Sequence, residues 1–162
     1  MTPEDKIAIT GLILASLQAE LDGFIRAAKA AQAAATDPDS KAENKYDTRN
    51  LEASYLARGV AFRVAETEAA LAEWQAMPPQ DFSAMLTVAV GALIVLEADQ
   101  GPTGYFMGPG GGGIRVEHRG LEINVITAAS PMGKQLLKSR EGEVFFLETG
   151  SRKEQAIITE VL

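Results

Sequence analysis

Residues 123–148 read INVITAASPMGKQLLKSREGEVFFLE, and this stretch contains one strand–helix–strand unit. Its first part is rich in β-branched residues and predicts a strand. Ser130 then offers an N-cap and Pro131 a first helical residue, so a short helix is predicted to follow. A turn at 141–142 separates this helix from a second predicted strand at residues 143–148. The unit therefore predicts a sheet that carries a short helix.

Short apolar and β-branched runs also lie on both sides of this unit. They occupy residues 86–96 (broken at Gly91), 105–107, 114–117 and 156–161. Strands followed by one short helix and two more strands predict a small mixed sheet of α+β class. Pro78-Pro79 marks the start of this region, so residues 78–162 are predicted to form one domain.

Before this proline pair the chain is rich in alanine and has helical periodicity. Thr2 offers an N-cap, Pro3 fits the first helical position, and the helix is expected to end near Thr36. The apolar residues of its seam are Ile7, Leu14, Leu17, Leu21, Phe24, Ala28, Ala31 and Ala35. A second seam with heptad spacing consists of Ala53, Ala57, Val60, Val64, Thr67, Leu71 and Trp74. Two such helices predict an antiparallel coiled-coil hairpin over residues 1–77, a rod about 50 Å long.

The polar link between the two helices forms an acidic tip near residues 36–50. It carries four carboxylates: Asp37, Asp39, Glu43 and Asp47. Clustered carboxylates suit Mg²⁺, which often takes one or two protein carboxylates and keeps waters as its other ligands. Three bases in the same segment dilute the acidic field, so the tip is not expected to hold a metal alone. The sequence leaves two interpretations open: a solvated turn, or a tip that binds Mg²⁺ jointly with a partner.

Composition excludes several classes of function. The 162 residues include no cysteine and one histidine, which rules out disulfides, zinc ribbons, iron–sulfur clusters, thiol nucleophiles and multi-histidine metal sites. A net charge of -7 makes tight, independent binding to nucleic acid unexpected. No uninterrupted apolar run approaches the ~20 residues that span a bilayer, and the N-terminal MTPEDK is unlike a signal peptide. We expect a cytoplasmic protein with no membrane partner.

Two further features have plain structural interpretations. Residues 108–113 contain G-x-G-x-x-G, but the following residues predict a strand and not a helix, so a dinucleotide site is rejected. The glycine run 110–113 is interpreted as a mobile hairpin loop. His118 lies in a charged turn, where a lone histidine is more often a surface residue than a catalyst, and no nucleophile is paired with it in the sequence.

Two segments resemble the bacterial Gre transcript-cleavage factors, in a divergent branch of that family. DSKAENKYDTR is similar to the family's acidic tip and the start of its second helix. INVITAASPMGKQLLKSREGEVFFLE is similar to its strand–Ser-Pro–helix–Gly–strand signature. The rest of the chain agrees in layout with a coiled-coil hairpin followed by an FKBP-like α+β domain. The resemblance implies a transcription elongation factor, and we expect it to be a monomer.

In the Gre family, the globular domain docks at the rim of the secondary channel of RNA polymerase and the hairpin threads the channel. Tip acids help to hold the second catalytic Mg²⁺, and the polymerase then hydrolyses backtracked RNA. In this two-metal chemistry one ion activates the nucleophile and the other stabilises the leaving oxygen. The resemblance therefore implies an accessory factor, not an enzyme, with Mg²⁺ held jointly with RNA polymerase and no cofactor bound alone.

The resemblance also assigns roles to residues of the tip. Asp39 matches the first tip acid when Tyr46 is aligned with the tip tyrosine. Ala42 stands at the ungapped position of the second acid, and Glu43 replaces that acid after a shift of one residue. Asp39 and Glu43 are thus the expected catalytic and metal-binding residues. Asp37 and Asp47 are further candidate metal ligands.

Ser130 and Pro131 match the turn that is implicated in docking to the polymerase, so they are the expected partner-binding residues. Three alternatives stay open. Because Ala42 departs from the family pattern, the protein could bind the channel as an inhibitor without promoting cleavage. The FKBP-like half could be a peptidyl-prolyl isomerase, although few aromatic residues are available to line such a site. The hairpin could be a dimerising module, against which the alanine-rich end of the seam argues.

Overall fold

In the computed structural model, the described residues are 1–36, 49–78, 87–149 and 152–162. Within these ranges the chain forms three helices and six strands. In chain order they are α1 (Pro3–Thr36), α2 (Arg49–Ala76), β1 (Leu93–Ala98), β2 (Gly101–Gly108), β3 (Arg115–His118), β4 (Leu121–Thr127), α3 (Pro131–Leu136), β5 (Val144–Thr149) and β6 (Arg152–Val161). Two long helices followed by a mixed sheet with one short helix confirm the α+β class.

A capping box fixes the start of α1. The backbone N–H of Asp5 donates to Thr2 Oγ1 over 3.3 Å, and the backbone N–H of Thr2 donates to Asp5 Oδ2 over 2.9 Å. Thr2 is therefore the N-cap and Pro3 the first helical residue, as the sequence predicts. The helix ends at Thr36, also as predicted.

The two long helices run antiparallel. Leu17 of α1 shares a cluster of buried residues with Ala70 of α2. The ring centroid of Phe24 lies 5.5 Å from the guanidinium carbon of Arg63. Phe24 comes seven residues after Leu17 on α1, whereas Arg63 comes seven residues before Ala70 on α2. The opposite directions of these two steps confirm the antiparallel arrangement.

The predicted seams are correct except at the start of α1. Seam residues with described side chains, from Leu14 on α1 and from Ala57 on α2, are buried or half-buried. Ile7, however, is 69% exposed, while Ile9 and Ile13 are fully buried. The assignment of Ile7 to the seam was wrong because this part of α1 packs on the sheet as well as on α2, which changes the face that is buried.

The six strands form one mixed sheet in the order β3-β4-β2-β1-β6-β5. β2 and β4 pair in parallel, and all other neighbours pair antiparallel. Because β4 lies between β2 and β3, residues 109–114 cross over the end of β4. The prediction of a hairpin loop at the glycine run was therefore wrong. In this part of the chain the hairpin connects β3 to β4 instead. Arg119 and Gly120, with φ of 51° and 78°, form its two-residue turn.

Buried side chains cover both faces of the sheet. On one face, Leu93, Phe106, Ile123 and Val125 pack against residues of α1 and α2. On the other face, a second cluster joins strand residues to Leu136 of α3. The first cluster crosses the predicted boundary at Pro78-Pro79, so the base of the helical hairpin shares a core with the sheet.

Helix α1 also meets a length and composition criterion for crossing a membrane. Its Pro3–Ala33 portion contains a window with a mean hydropathy of 1.3, of which 22% is buried. Helices of soluble proteins meet the same criterion, and the buried isoleucine and leucine side chains that face the sheet contribute to it here.

Candidate functional site

The acidic tip lies between the far ends of the two long helices. Asp37, Asp39, Glu43 and Asp47 fall outside the described residues, so their predicted catalytic and metal-binding roles stay predictions. The structure does fix where the segment is attached: α1 ends at Thr36 and α2 begins at Arg49. Leu21 is the last buried residue described on α1, and Thr36 follows fifteen residues later, about 22 Å along the helix.

The described residues hold no group of three or more Asp, Glu or His side chains that could bind a metal ion. The expectation of jointly held Mg²⁺ depends on residues 37–48 alone.

The predicted docking turn is a well-defined cap on α3. Ser130 Oγ accepts a hydrogen bond from the backbone N–H of Gly133 over 3.0 Å and donates one to the carbonyl oxygen of Thr127 over 2.8 Å. Pro131 occupies the first helical position and is exposed. The serine hydroxyl thus donates one hydrogen bond and accepts one within the turn, while the Pro131 ring is exposed beside it.

Gly133 is required by the close approach of α3 to β4. A Cβ atom at this position would overlap the carbonyl oxygen of Thr127 and come within 2.8 Å of its carbonyl carbon. The Thr127 carbonyl oxygen also accepts from the backbone N–H of Ser130 over 2.9 Å and from the Ser130 hydroxyl over 2.8 Å, so moving it would break these bonds. Ser130, Pro131 and Gly133 therefore act together to hold the turn against the sheet.

A second polar cluster ties the start of α1 to the β3–β4 turn. Asp5 is 3% exposed, and its Oδ1 lies 2.8 Å from His118 Nε2 and 3.0 Å from the guanidinium of Arg119. The pKa of the Asp5 carboxyl is lowered from 3.8 to about 2, first by the hydrogen bond from His118, then by the backbone N–H of Thr2. A nearby Arg119 charge lowers it further. This carboxylate is held ionised and pairs with the turn.

The interpretation of His118 as a surface residue was therefore wrong, since its side chain is only 17% exposed. Its partner lies 113 residues away in the chain and cannot be found from local sequence. For Asp5, the sequence offered one signal of a structural role: its spacing of three residues from Thr2 fits a capping box. His118 connects the β3–β4 hairpin to the base of the helical hairpin through Asp5.

The glycine-rich segment lets the sheet approach α2 closely. The indole N–H of Trp74 donates to the carbonyl oxygen of Gly110 over 3.0 Å, and the Trp74 ring packs edge-on against Phe106 with 5.0 Å between centroids. A Cβ at Gly108 would lie 2.5 Å from the Trp74 ring, and one at Gly110 would lie 3.3 Å from Ala70 Cβ. The segment packs against the hairpin base, in place of the mobile loop that the sequence suggested.

These contacts define the arrangement of the predicted site residues. Ser130 and Pro131 lie after β4, on the sheet domain, while the acidic tip is connected to it only through α1 and α2. The Asp5 cluster and the Trp74 contact fix the base of the hairpin to the sheet at two places. The predicted docking turn is therefore carried by the sheet domain, whereas residues 37–48 connect the ends of α1 and α2 that lie farthest along the chain from the anchored base.

Comparisons with known proteins give a limited result. No protein-family model matches the chain, and no curated protein matches it. Among solved structures, the chain is similar to the transcription factor Gfh1, with 18% identity, a TM-score of 0.40, and coverage of 91% of this chain and 92% of that chain. It is similar to Gfh1 of Thermus aquaticus, with 18% identity, a TM-score of 0.38, and coverage of 90% and 91%. GreA factor homolog 1 (Gfh1) of Thermus thermophilus gives 18% identity, a TM-score of 0.38, and coverage of 92% and 94%.

Proposed function

We propose that the protein is a bacterial, cytoplasmic factor that enters the secondary channel of RNA polymerase and modulates transcription elongation. We further propose that it stimulates cleavage of backtracked RNA through the carboxylates between α1 and α2. The observation that carries this proposal is the helical hairpin: its base shares a core with the sheet, and four carboxylates occupy the twelve residues that join its far ends.

A rod of this kind can deliver charge to a place that the sheet domain cannot reach. α1 has 34 residues, which correspond to about 51 Å. Beyond Leu21 the described side chains of α1 are half-buried or exposed, as expected where a helix packs on one neighbouring helix and not on the sheet. Such a slender element suits a narrow channel, while the wider sheet domain remains outside.

The mixed charge of the tip supports a shared metal. Asp37, Asp39, Glu43 and Asp47 are interspersed with Lys41 and Lys45. Mg²⁺ requires near-octahedral oxygen ligands and keeps several waters, so one or two carboxylates from the tip would complete a site whose other ligands belong to the polymerase. The factor supplies ligands, and the polymerase carries out the hydrolysis by two-metal chemistry.

In the same proposal, residues 78–162 act as an FKBP-like docking domain without isomerase activity, and Ser130 and Pro131 contact the polymerase. The sequence resemblance assigns this role, and the local geometry supports it. Pro131 is exposed on a turn whose serine hydroxyl and glycine are both committed to holding its shape. A rigid, exposed ring costs little conformational entropy when it is covered by a partner.

A channel-binding inhibitor is the second candidate. It is favoured by one observation: Ala42 stands where the ungapped resemblance requires the second tip acid. If Glu43 does not reach the metal, the rod occupies the channel and blocks it.

The test uses stalled, backtracked elongation complexes with RNA labelled at its 5′ end. We expect the wild-type protein to bind and to accelerate RNA shortening, and the double variant Asp39→Ala/Glu43→Ala to bind without accelerating it. A matched control, Glu20→Ala/Glu68→Ala, removes the same charge from exposed positions on the shaft and should keep full activity. Binding with slower cleavage selects the inhibitor. Absence of both binding and any effect on cleavage contradicts the proposal.

A further inference from the structure

A strip of basic residues lies beside the Ser130-Pro131 turn. We name Lys134, Lys138 and Arg140 the basic strip. Residues 123–140 contain these three bases and no acid, in a chain with 22 acids and a net charge of -7. The nearest acids in sequence are Glu122 and Glu141. The local charge of this segment is therefore opposite to that of the whole protein.

The strip faces outward from the sheet. On α3, Gly133 and Leu136 are the buried residues: Leu136 belongs to the second hydrophobic cluster, and Gly133 lies against Thr127. Lys134 lies on the opposite side of the helix, three residues after the exposed Pro131. All three residues of the strip are exposed. A partner that covers the Pro131 ring would meet the basic strip at the same time.

Within the described ranges, no acidic side chain forms an ion pair with the basic strip. Among the described residues, ion pairs engage Arg63 and Arg119, but none involves a residue of the strip. Exposed cations of a folded protein commonly have an acidic neighbour on the next turn of a helix, at a spacing of three or four residues. Here the residue four positions after Lys134 is another base, Lys138. The three charges are thus available to an external partner.

The backbone at Lys138 gives a second, independent observation. Lys138 has a φ of 72°, in the left-handed region, directly after the C-cap residue Leu137. Glycine is the usual residue here, since a Cβ atom crowds the following backbone carbonyl in this conformation. The position is locked by two 2.8 Å hydrogen bonds, from Lys138 N–H to Val88 O and from Val88 N–H to Ser139 O. A lysine in a glycine position points to a use for its charge.

We propose that the basic strip docks on a carboxylate-rich surface of the partner protein, next to the contact made by Pro131. This inference rests on the proposed function, in which the partner is RNA polymerase. A protein surface fits better than nucleic acid because three cations on a strongly acidic chain neutralise too few phosphates for tight binding. Complementary charge at the edge of an interface accelerates association and fixes its orientation.

The experiment measures binding of the full-length protein to RNA polymerase core enzyme without nucleic acid, at low and at high ionic strength. The test variant is Lys134→Glu/Lys138→Glu/Arg140→Glu. The matched control is Lys134→Arg/Lys138→Arg/Arg140→Lys, which keeps the charge. Circular dichroism and thermal unfolding establish that both variants fold. We expect the reversed variant to raise Kd at least about tenfold at low salt, mainly through slower association, and the control to bind like the wild type.

High salt should reduce the difference between the reversed variant and the wild type, because exposed charges are screened. Equal affinity of these two proteins at low salt overturns the inference and leaves the proposed function intact. A difference that appears only when RNA or DNA is present also overturns it, since the strip would then bind nucleic acid. Failure of the wild type and of every variant to bind polymerase overturns the proposed function itself.

Discussion

Substitution of Gly108 by alanine should weaken the packing of the helical hairpin on the sheet and lower the stability of the protein. The new Cβ would lie 2.5 Å from Trp74 Cζ2, 3.0 Å from the Gly110 carbonyl oxygen and 3.1 Å from a methyl of Val125. Ordinary contacts begin near 3.4 Å, so the indole ring must move by about 1 Å. It cannot do so freely, because it is only 2% exposed, packs on Phe106 and donates to Gly110.

The expected loss of stability follows from two opposing terms. Overpacking of a close-packed core costs about 1–3 kcal/mol, and displacement of a hydrogen-bonded ring places Gly108→Ala at the upper end of that range. Alanine also reduces the entropy of the unfolded chain, which returns about 0.4–1 kcal/mol. The net loss is about 2 kcal/mol, which for a domain of this size lowers Tm by about 4–8 °C.

Gly112→Ala is the matched control for this prediction. Its Cβ would meet only the methyl group of Thr127 at 3.3 Å, with the next atom at 4.0 Å. We expect its Tm to lie within about 2 °C of the wild type, because the small steric cost and the entropy gain nearly cancel. Trp74 is the single tryptophan of the chain, so its fluorescence, measured together with far-UV circular dichroism, follows the contact directly. Equal Tm values for the two variants would refute the reasoning.

Three further predictions concern single side chains. Asp5 has a folded-state pKa of about 2, below its ordinary 3.8, so its stabilising contribution is present above pH 3.8 and disappears as the pH falls through about 2. The Tm difference between the wild type and Asp5→Asn should therefore close over that pH range, and a constant difference would refute this prediction. Ser130→Ala removes the N-cap of α3 and should cost about 1 kcal/mol in urea unfolding, whereas an unchanged midpoint would show that the cap contributes nothing. Lys138→Gly should raise stability by about 1 kcal/mol and weaken polymerase binding, and a loss of stability would contradict the strain assigned to this position.

Features set by a few neighbouring residues could be predicted from the sequence. Thr2 with Pro3, and Ser130 with Pro131, mark helix starts because a cap oxygen and the backbone N–H that donates to it are three residues apart. The seams from Leu14 onward follow from heptad spacing, since each long helix packs mainly on the other there.

Features that depend on distant contacts could not be predicted. Burial of Ile9 in place of Ile7 depends on how α1 meets the sheet, and the heptad pattern has no information about that surface. His118 is identified only by Asp5, at the other end of the chain. The sequence suggested a loop at the glycine-rich segment because glycine is typical both of flexible loops and of places where two backbones pack closely. The position of Trp74 against this segment identifies the second case.

The roles of the acidic tip residues come from the sequence resemblance and not from the structure. Asp39 and Glu43 were assigned by alignment of short motifs, and they lie outside the described residues. Their proposed role depends on a metal that RNA polymerase would share. A functional measurement is therefore the appropriate test of these two residues.

The most direct measurement is the rate of RNA cleavage in backtracked elongation complexes with saturating protein. The account predicts that the wild type binds and accelerates cleavage, that Asp39→Ala/Glu43→Ala binds without acceleration, and that Glu20→Ala/Glu68→Ala behaves like the wild type. A wild-type protein that neither binds the complexes nor changes the cleavage rate would contradict the central claim.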